Sequence, residues 1–211
     1  MKFEHLLDVV GNEPVFDTAL LKAGNVRDHA LHLQLTRWTR AGKLVQLRRG
    51  VYTLAPPYRK TAVHPFAIAN ALRRGAYVSL QSALAHHGLI PEAVPVVTSV
   101  TTGRSEHLTN PMGSFDFRHV KATCFFGYEQ VGLAPGQSAF VATPEKALLD
   151  LVYLTPGADR QAYLRELRLQ NLGALRFESL ASYATRMDKP KLHRAVRTLS
   201  ALCGEEEYED L

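Results

Sequence analysis

Apolar positions recur along the first sixty residues at helical spacing and then at strand spacing. Phe3, Leu6, Leu7 and Val10 form one helical face that stops at Gly11. A second short helix is predicted over residues 17–23, capped by Asp17 or Thr18 and closed by Gly24. Over residues 28–41, Leu31, Leu35, Trp38 and Ala41 fall on one side, while His29, Leu33, Thr36, Arg37 and Arg40 fall on the other. That is an amphipathic helix with Asn25 or Asp28 as its cap and Gly42 as its stop. Residues 44–47 and 51–54 are strand-forming runs joined by Arg48-Arg49-Gly50, which predicts a hairpin with two arginines at its tip. Trp38, the only tryptophan, stands among the apolar positions and is read as a core anchor rather than a base-stacking platform.

Pro56 and Pro57 cannot continue a strand ladder, and the predicted domain boundary falls there, giving residues 1–57 and 58–211. Helices are predicted over residues 65–74 and 79–87. Next come β-branched and aromatic runs at 96–102, 114–120, 123–131 and 139–142, expected to form a small antiparallel sheet. Thr143 as cap, Pro144 at the first helical position and Glu145 near the positive helix end then open a mostly apolar helix that should be buried. Further helical stretches cover residues 159–172, 177–187 and 191–203, before an acidic tail at 205–211. The fold class is therefore α+β: an N-terminal winged helix-turn-helix, followed by a mixed domain with a small antiparallel sheet and several helices.

Charge sharpens this picture. The formal net charge is +5, but the last seven residues hold five acids, so residues 1–204 carry 25 basic against 15 acidic side chains, a net of +10. From Leu21 to Lys60 there are nine basic residues and one acidic residue, a phosphate-binding footprint. Arg37 and Arg40 are placed for phosphates or guanine edges and Thr36 and His29 for weaker base contacts, with Arg27, Lys43, Arg48 and Arg49 adding to the DNA-binding set. Lys191, Arg194 and Arg197 lie off the apolar face of the last helix and form a possible second basic surface or a plain solvated face. Two distant cysteines, no secretory leader and no apolar run of membrane length point to a cytoplasmic protein.

Catalytic chemistry finds little support in the sequence. Asp116, Glu129, Glu145, Lys146 and Asp150 could in principle serve a metal-dependent nuclease, but such chemistry needs clustered carboxylates, and Glu145, Lys146 and Asp150 are accounted for by helix-start chemistry. His86 and His87 are adjacent on a helix and project about 100° apart, so they do not suit a shared metal ion. No catalytic residue, metal or cofactor is assigned. A ligand-responsive regulator with no toxin partner is the alternative reading.

The runs TRWTRAGKLVQLRRGVYTL, YVSLQSALAHHGLI, VTSVTTGR and TPEKALLDLVYL resemble the AbiEi family, antitoxins of type IV abortive-infection toxin-antitoxin pairs acting in phage defence. The resemblance covers roughly residues 3–155. It implies a winged helix-turn-helix followed by an antitoxin domain. It also implies a repressor that binds inverted repeats in its own operon promoter and counters a nucleotidyltransferase-type toxin indirectly, without a stable complex. With no heptad or long apolar helix to mark a dimer interface, a monomer in solution is expected, with two copies meeting on DNA.

Overall fold

The computed structural model describes residues 1–21 and 28–209. Chain order begins α1 (Phe3–Val10), β1 (Phe16–Asp17), α2 (Thr18–Leu21), α3 (Asp28–Arg40), β2 (Leu44–Arg48) and β3 (Val51–Leu54). The strands form an antiparallel sheet of order β1-β3-β2. The helices close over this sheet because their apolar stripes match it: Phe3, Leu6, Val10, Leu31, Leu35 and Trp38 pack with Phe16, Leu44, Tyr52 and Leu54 in one buried cluster. Trp38 is buried, with its ring 5.3 Å from that of Phe3. Asp17 is the cap of α2, its Oδ1 accepting the amides of Ala19 and Leu20. Gly42, at φ +68°, ends α3, and the Lys43 amide reaches back to the Trp38 carbonyl at 2.9 Å. Ala41, expected on the apolar stripe, is exposed because the helix has already ended at Arg40. The cap expected at Asn25 lies outside the described residues.

The second part comprises α4 (Pro65–Leu72), β4 (Ala76–Val78), α5 (Leu80–His86), β5 (Val96–Thr101), β6 (Glu106–Asn110), β7 (Gly113–His119), β8 (Tyr128–Ala134), β9 (Gln137–Ala142), α6 (Pro144–Leu154), α7 (Gln161–Glu166), α8 (Phe177–Met187) and α9 (Pro190–Glu209). The architecture is α+β, and the expectation of a small antiparallel sheet is corrected. Six strands run in the order β6-β7-β5-β4-β9-β8, and the pairs β5/β7 and β4/β9 are parallel. Apolar alternation reports which face a residue occupies but not the direction of the neighbouring strand. Both parallel pairs lie among the inner strands: β4 is buried at all three positions, whereas β7 and β9 alternate buried with half-buried or exposed positions. The sequence hid β6 because Glu-His-Leu-Thr-Asn has no strand-like composition. Residues 123–124, expected as strand, belong to a 3-10 turn at Ala122–Cys124. The helix predicted to start at 159 stops early, since Arg168 and Asn171 adopt left-handed conformations. Residues 205–209, expected as a tail, continue α9.

Apolar side chains of this second part form a cluster of their own, running from Val63 to Leu199, and Leu47 of the hairpin reaches across to join it. Within that core sits a polar knot. Lys146 and Asp150, one turn apart on α6, are fully buried and ion-paired. Tyr77 of β4 and Ser79, the residue between β4 and α5, donate to Asp150 at 2.9 and 2.8 Å, and Lys146 donates to the Tyr77 oxygen at 2.9 Å. Gly127, at φ +71°, allows the close approach: a Cβ there would lie 3.0 Å from the Lys146 side chain.

Candidate nucleic-acid interface

α3 divides its residues as the spacing predicts. Leu31, Leu35 and Trp38 are buried, whereas His29, Leu33, Thr36, Arg37 and Arg40 are exposed. Packing of the apolar stripe against α1 and the hairpin therefore turns the polar stripe outward. Thr36 donates its hydroxyl to the His32 carbonyl at 2.9 Å, leaving the oxygen's lone pairs facing solvent as acceptors. Among the described residues no carboxylate pairs with Arg37 or Arg40, so both charges remain available, and both stand in the last turn, where the helix dipole favours cations. Lys43, just past the helix, is half-buried, with its ammonium 4.5 Å from the Phe3 ring centre. Arg27, assigned to the same set from the sequence, lies outside the described residues.

The hairpin requires a correction. Its turn is Arg49-Gly50, with Gly50 at φ +83°, and Arg49 is exposed with no described partner. Arg48 is instead the last residue of β2, after a register shift between Gln46 and Arg48. Its guanidinium turns away from the tip toward the second part of the molecule, 3.2 Å from the Leu72 carbonyl and 3.4 Å from Glu106 of β6. Only 36% of its side chain is exposed. The bulge explains this, because an extra residue re-aims the side chains around it, here sending Leu47 into the larger core and Arg48 toward β6.

Glu106 receives a second cation that sequence reasoning missed, Arg73, at 3.3 Å. Arg74 next to it pairs with Asp17. The run Arg73-Arg74-Gly75 has the composition of Arg48-Arg49-Gly50, which was the one available signal. Nothing local, however, reveals that the two runs meet across the seam.

The other sequence-derived candidates are largely engaged in internal contacts. Lys191 donates to the Thr155 carbonyl beyond the end of α6, and Arg194, though exposed, pairs with Asp159 at 2.8 Å, so that of the possible second basic surface only Arg197 is exposed with no carboxylate partner among the described residues. The hydrogen bond from Arg194 holds the Asp159 carboxyl below its ordinary range. The His87 ring meets the Ala142 carbonyl at 2.8 Å, while His86 lies against Phe66. Among the described residues no three histidine, cysteine or acidic side chains are grouped to hold a metal ion. Glu145 and Asp150, named for nuclease chemistry, are buried within the helix packing, while Asp116 is half-buried and Glu129 exposed on separate strands. Burial pushes the Asp150 carboxyl up, outweighing Lys146 and the two hydroxyl donors. Burial likewise pushes Glu145 up, but the amide of Arg176, 3.0 Å away, and further hydrogen bonds reverse this and hold it below its ordinary value.

No helix among the described residues is long and apolar enough to cross a membrane. No protein-family model matches the sequence, and no curated protein matches it. A structural likeness is found to the crystal structure of the RV2827C protein from Mycobacterium tuberculosis, at 17% identity and a TM-score of 0.55, covering 93% of this chain and 75% of that one. At that identity the likeness shows a shared fold.

Proposed function

We propose that the chain is a DNA-binding autorepressor and the antitoxin of a type IV toxin-antitoxin pair. The N-terminal order α1-β1-α2-α3-β2-β3 is read as a winged helix-turn-helix, with α3 as the recognition helix and the β2–β3 hairpin as the wing. The observation that carries this reading is the outer face of α3, where Arg37 and Arg40 stand exposed and without a carboxylate partner beside His29, Leu33 and Thr36. An α-helix fits the major groove, where arginine reads guanine O6 and N7 bidentately and an apolar side chain meets the thymine methyl. Arg49 at the wing tip adds a phosphate contact. Attraction between an unneutralised cationic face and the phosphates favours association and weakens with salt.

Repression follows from two copies occupying inverted repeats in the operon promoter, their centres one helical turn or a multiple apart, with the chain monomeric before binding. Neutralisation of a nucleotidyltransferase-type toxin is assigned to the second part of the molecule and acts without a stable complex. Titration of the full chain onto its own promoter fragment tests the first half of this proposal. A footprint on inverted repeats, at least about a thousandfold tighter than binding to unrelated duplex, is the expected result. Equal affinity for unrelated DNA refutes autorepression. Growth rescue of cells expressing the adjacent toxin gene, without co-purification of the two proteins, tests the second half.

A further inference from the structure

The seam between the two parts brings two sheet edges together. β2 is an outer strand of the three-stranded sheet and β6 an outer strand of the six-stranded one. Two side chains bridge them: Asn110 donates to the Leu47 carbonyl at 3.3 Å, and Arg48 reaches Glu106 at 3.4 Å. Glu106 is shared. Its Oε2 also faces Arg73, at 3.3 Å, so one carboxylate oxygen holds two guanidinium groups.

The two cations are not equivalent. Arg73 is built into the second part: its Nη2 donates to the Arg104 carbonyl at 2.7 Å, its Nε is buried, and its guanidinium lies 5.9 Å from the Phe117 ring centre. Arg48 comes from the hairpin, keeps 36% of its side chain exposed and makes its contacts through one nitrogen, Nη1. Removing one partner of a partly buried ion pair is costly when the other charge is left uncompensated. Here Arg73 stays beside Glu106 when Arg48 withdraws, so that cost does not arise. Of the two ion pairs, the one to Arg48 is the exchangeable one.

We propose that Glu106 makes an autoinhibitory contact for DNA binding: its carboxylate takes the place of a phosphate and keeps Arg48 out of the interface. This inference rests on the DNA-binding reading above and adds a control to that same surface. Carboxylate and phosphate oxygens are both anionic acceptors for a guanidinium, so they compete for one cation. Arg49, exposed at the turn, then carries the wing contact alone, and Arg48 is held in reserve. Coupling between sites is reciprocal. A movement of β6 that withdraws Glu106 strengthens the hold on DNA, and DNA that captures Arg48 loosens the seam.

Binding of the full chain to its promoter fragment across a salt series tests the contact. Glu106→Gln keeps the shape and an acceptor oxygen but removes the charge. It should bind about three- to tenfold more tightly at low salt and steepen the logarithmic salt dependence by about one unit, as one added phosphate contact does. Loss of a negative charge near DNA raises affinity on its own, so a double-mutant cycle is decisive. Arg48→Ala should cost about one unit of slope in the Glu106→Gln background and little in the parent. The proposal is overturned if Glu106→Gln leaves the parent's slope unchanged, or if it steepens the slope equally with and without Arg48. Either result leaves DNA binding standing, because the parent's affinity is measured in the same series. A parent chain that does not bind the fragment overturns both readings. Should Glu106→Gln fail to fold, Glu106→Ala takes its place in the cycle.

Discussion

Two regions of this molecule are rich in charge and handle it in opposite ways. On α3 and the hairpin turn, Arg37, Arg40 and Arg49 face solvent with no described carboxylate to meet them. On α6, Lys146 and Asp150 are fully buried and meet each other, with Tyr77 and Ser79 completing the knot. Both regions lie in runs that carry the family resemblance, TRWTRAGKLVQLRRGVYTL and TPEKALLDLVYL. The difference teaches that a distinctive sequence motif does not by itself mark a binding surface. The first run leaves Arg37, Arg40 and Arg49 available to a partner while Arg48 is held by Glu106, whereas the second consumes its charge in holding a helix to a central strand.

The comparison can be broken first at α6. Lys146→Met leaves Asp150 buried without its cation and should lower stability by about 3–5 kcal/mol in urea denaturation, with much of the loss recovered by adding Asp150→Leu. DNA affinity per folded molecule should not change. Equal stability of Lys146→Met and the parent would mean that the buried pair holds nothing together.

A series on the outer surface should give the reverse pattern. Arg37→Ala with Arg40→Ala should weaken DNA binding about a hundredfold at low salt and flatten the logarithmic salt dependence by about two units, one for each phosphate no longer neutralised. Its unfolding free energy should stay within about 0.5 kcal/mol of the parent, as for other surface changes. Arg49→Ala should flatten the dependence by about one unit, and Arg48→Ala by less, because Glu106 and the Leu72 carbonyl already occupy that guanidinium. A larger loss from Arg48 than from Arg49 would reverse the assignment of the wing contact.

The smallest effect concerns Glu145. Its folded value lies below the ordinary 4.5, so its ionised form stabilises the protein above that pH. This contribution fades as the pH falls through the lower folded value. Glu145→Gln should therefore flatten the decline in the urea midpoint on acidification below pH ~4.5 while leaving binding at neutral pH intact. An unchanged acid profile in that variant would assign the decline to other carboxylates.

Local order was well represented in the chain. The α3 stripe, the glycine stop at Gly42, the strands on either side of Arg49-Gly50 and the Thr143-Pro144 helix start each rest on neighbours within a few residues, and each is found. The exposure of His29, Thr36, Arg37 and Arg40 follows from the same periodicity, since burying one face of a helix leaves the opposite face outward.

What lay beyond that reach depended on residues far apart in sequence. Strand direction in the six-stranded sheet, the membership of β6, and the burial of Glu145, Lys146 and Asp150 are settled by partners dozens of positions away. The fate of Arg48 shows the division most clearly. The sequence placed it beside Arg49 at a turn and determined its charge. A bulge that shifts the register, and a glutamate 58 residues later on another strand, decided that the charge turns inward. Periodicity is a property of consecutive residues, and so it specifies faces and ends; pairing across the molecule depends on which surfaces the folded chain brings together.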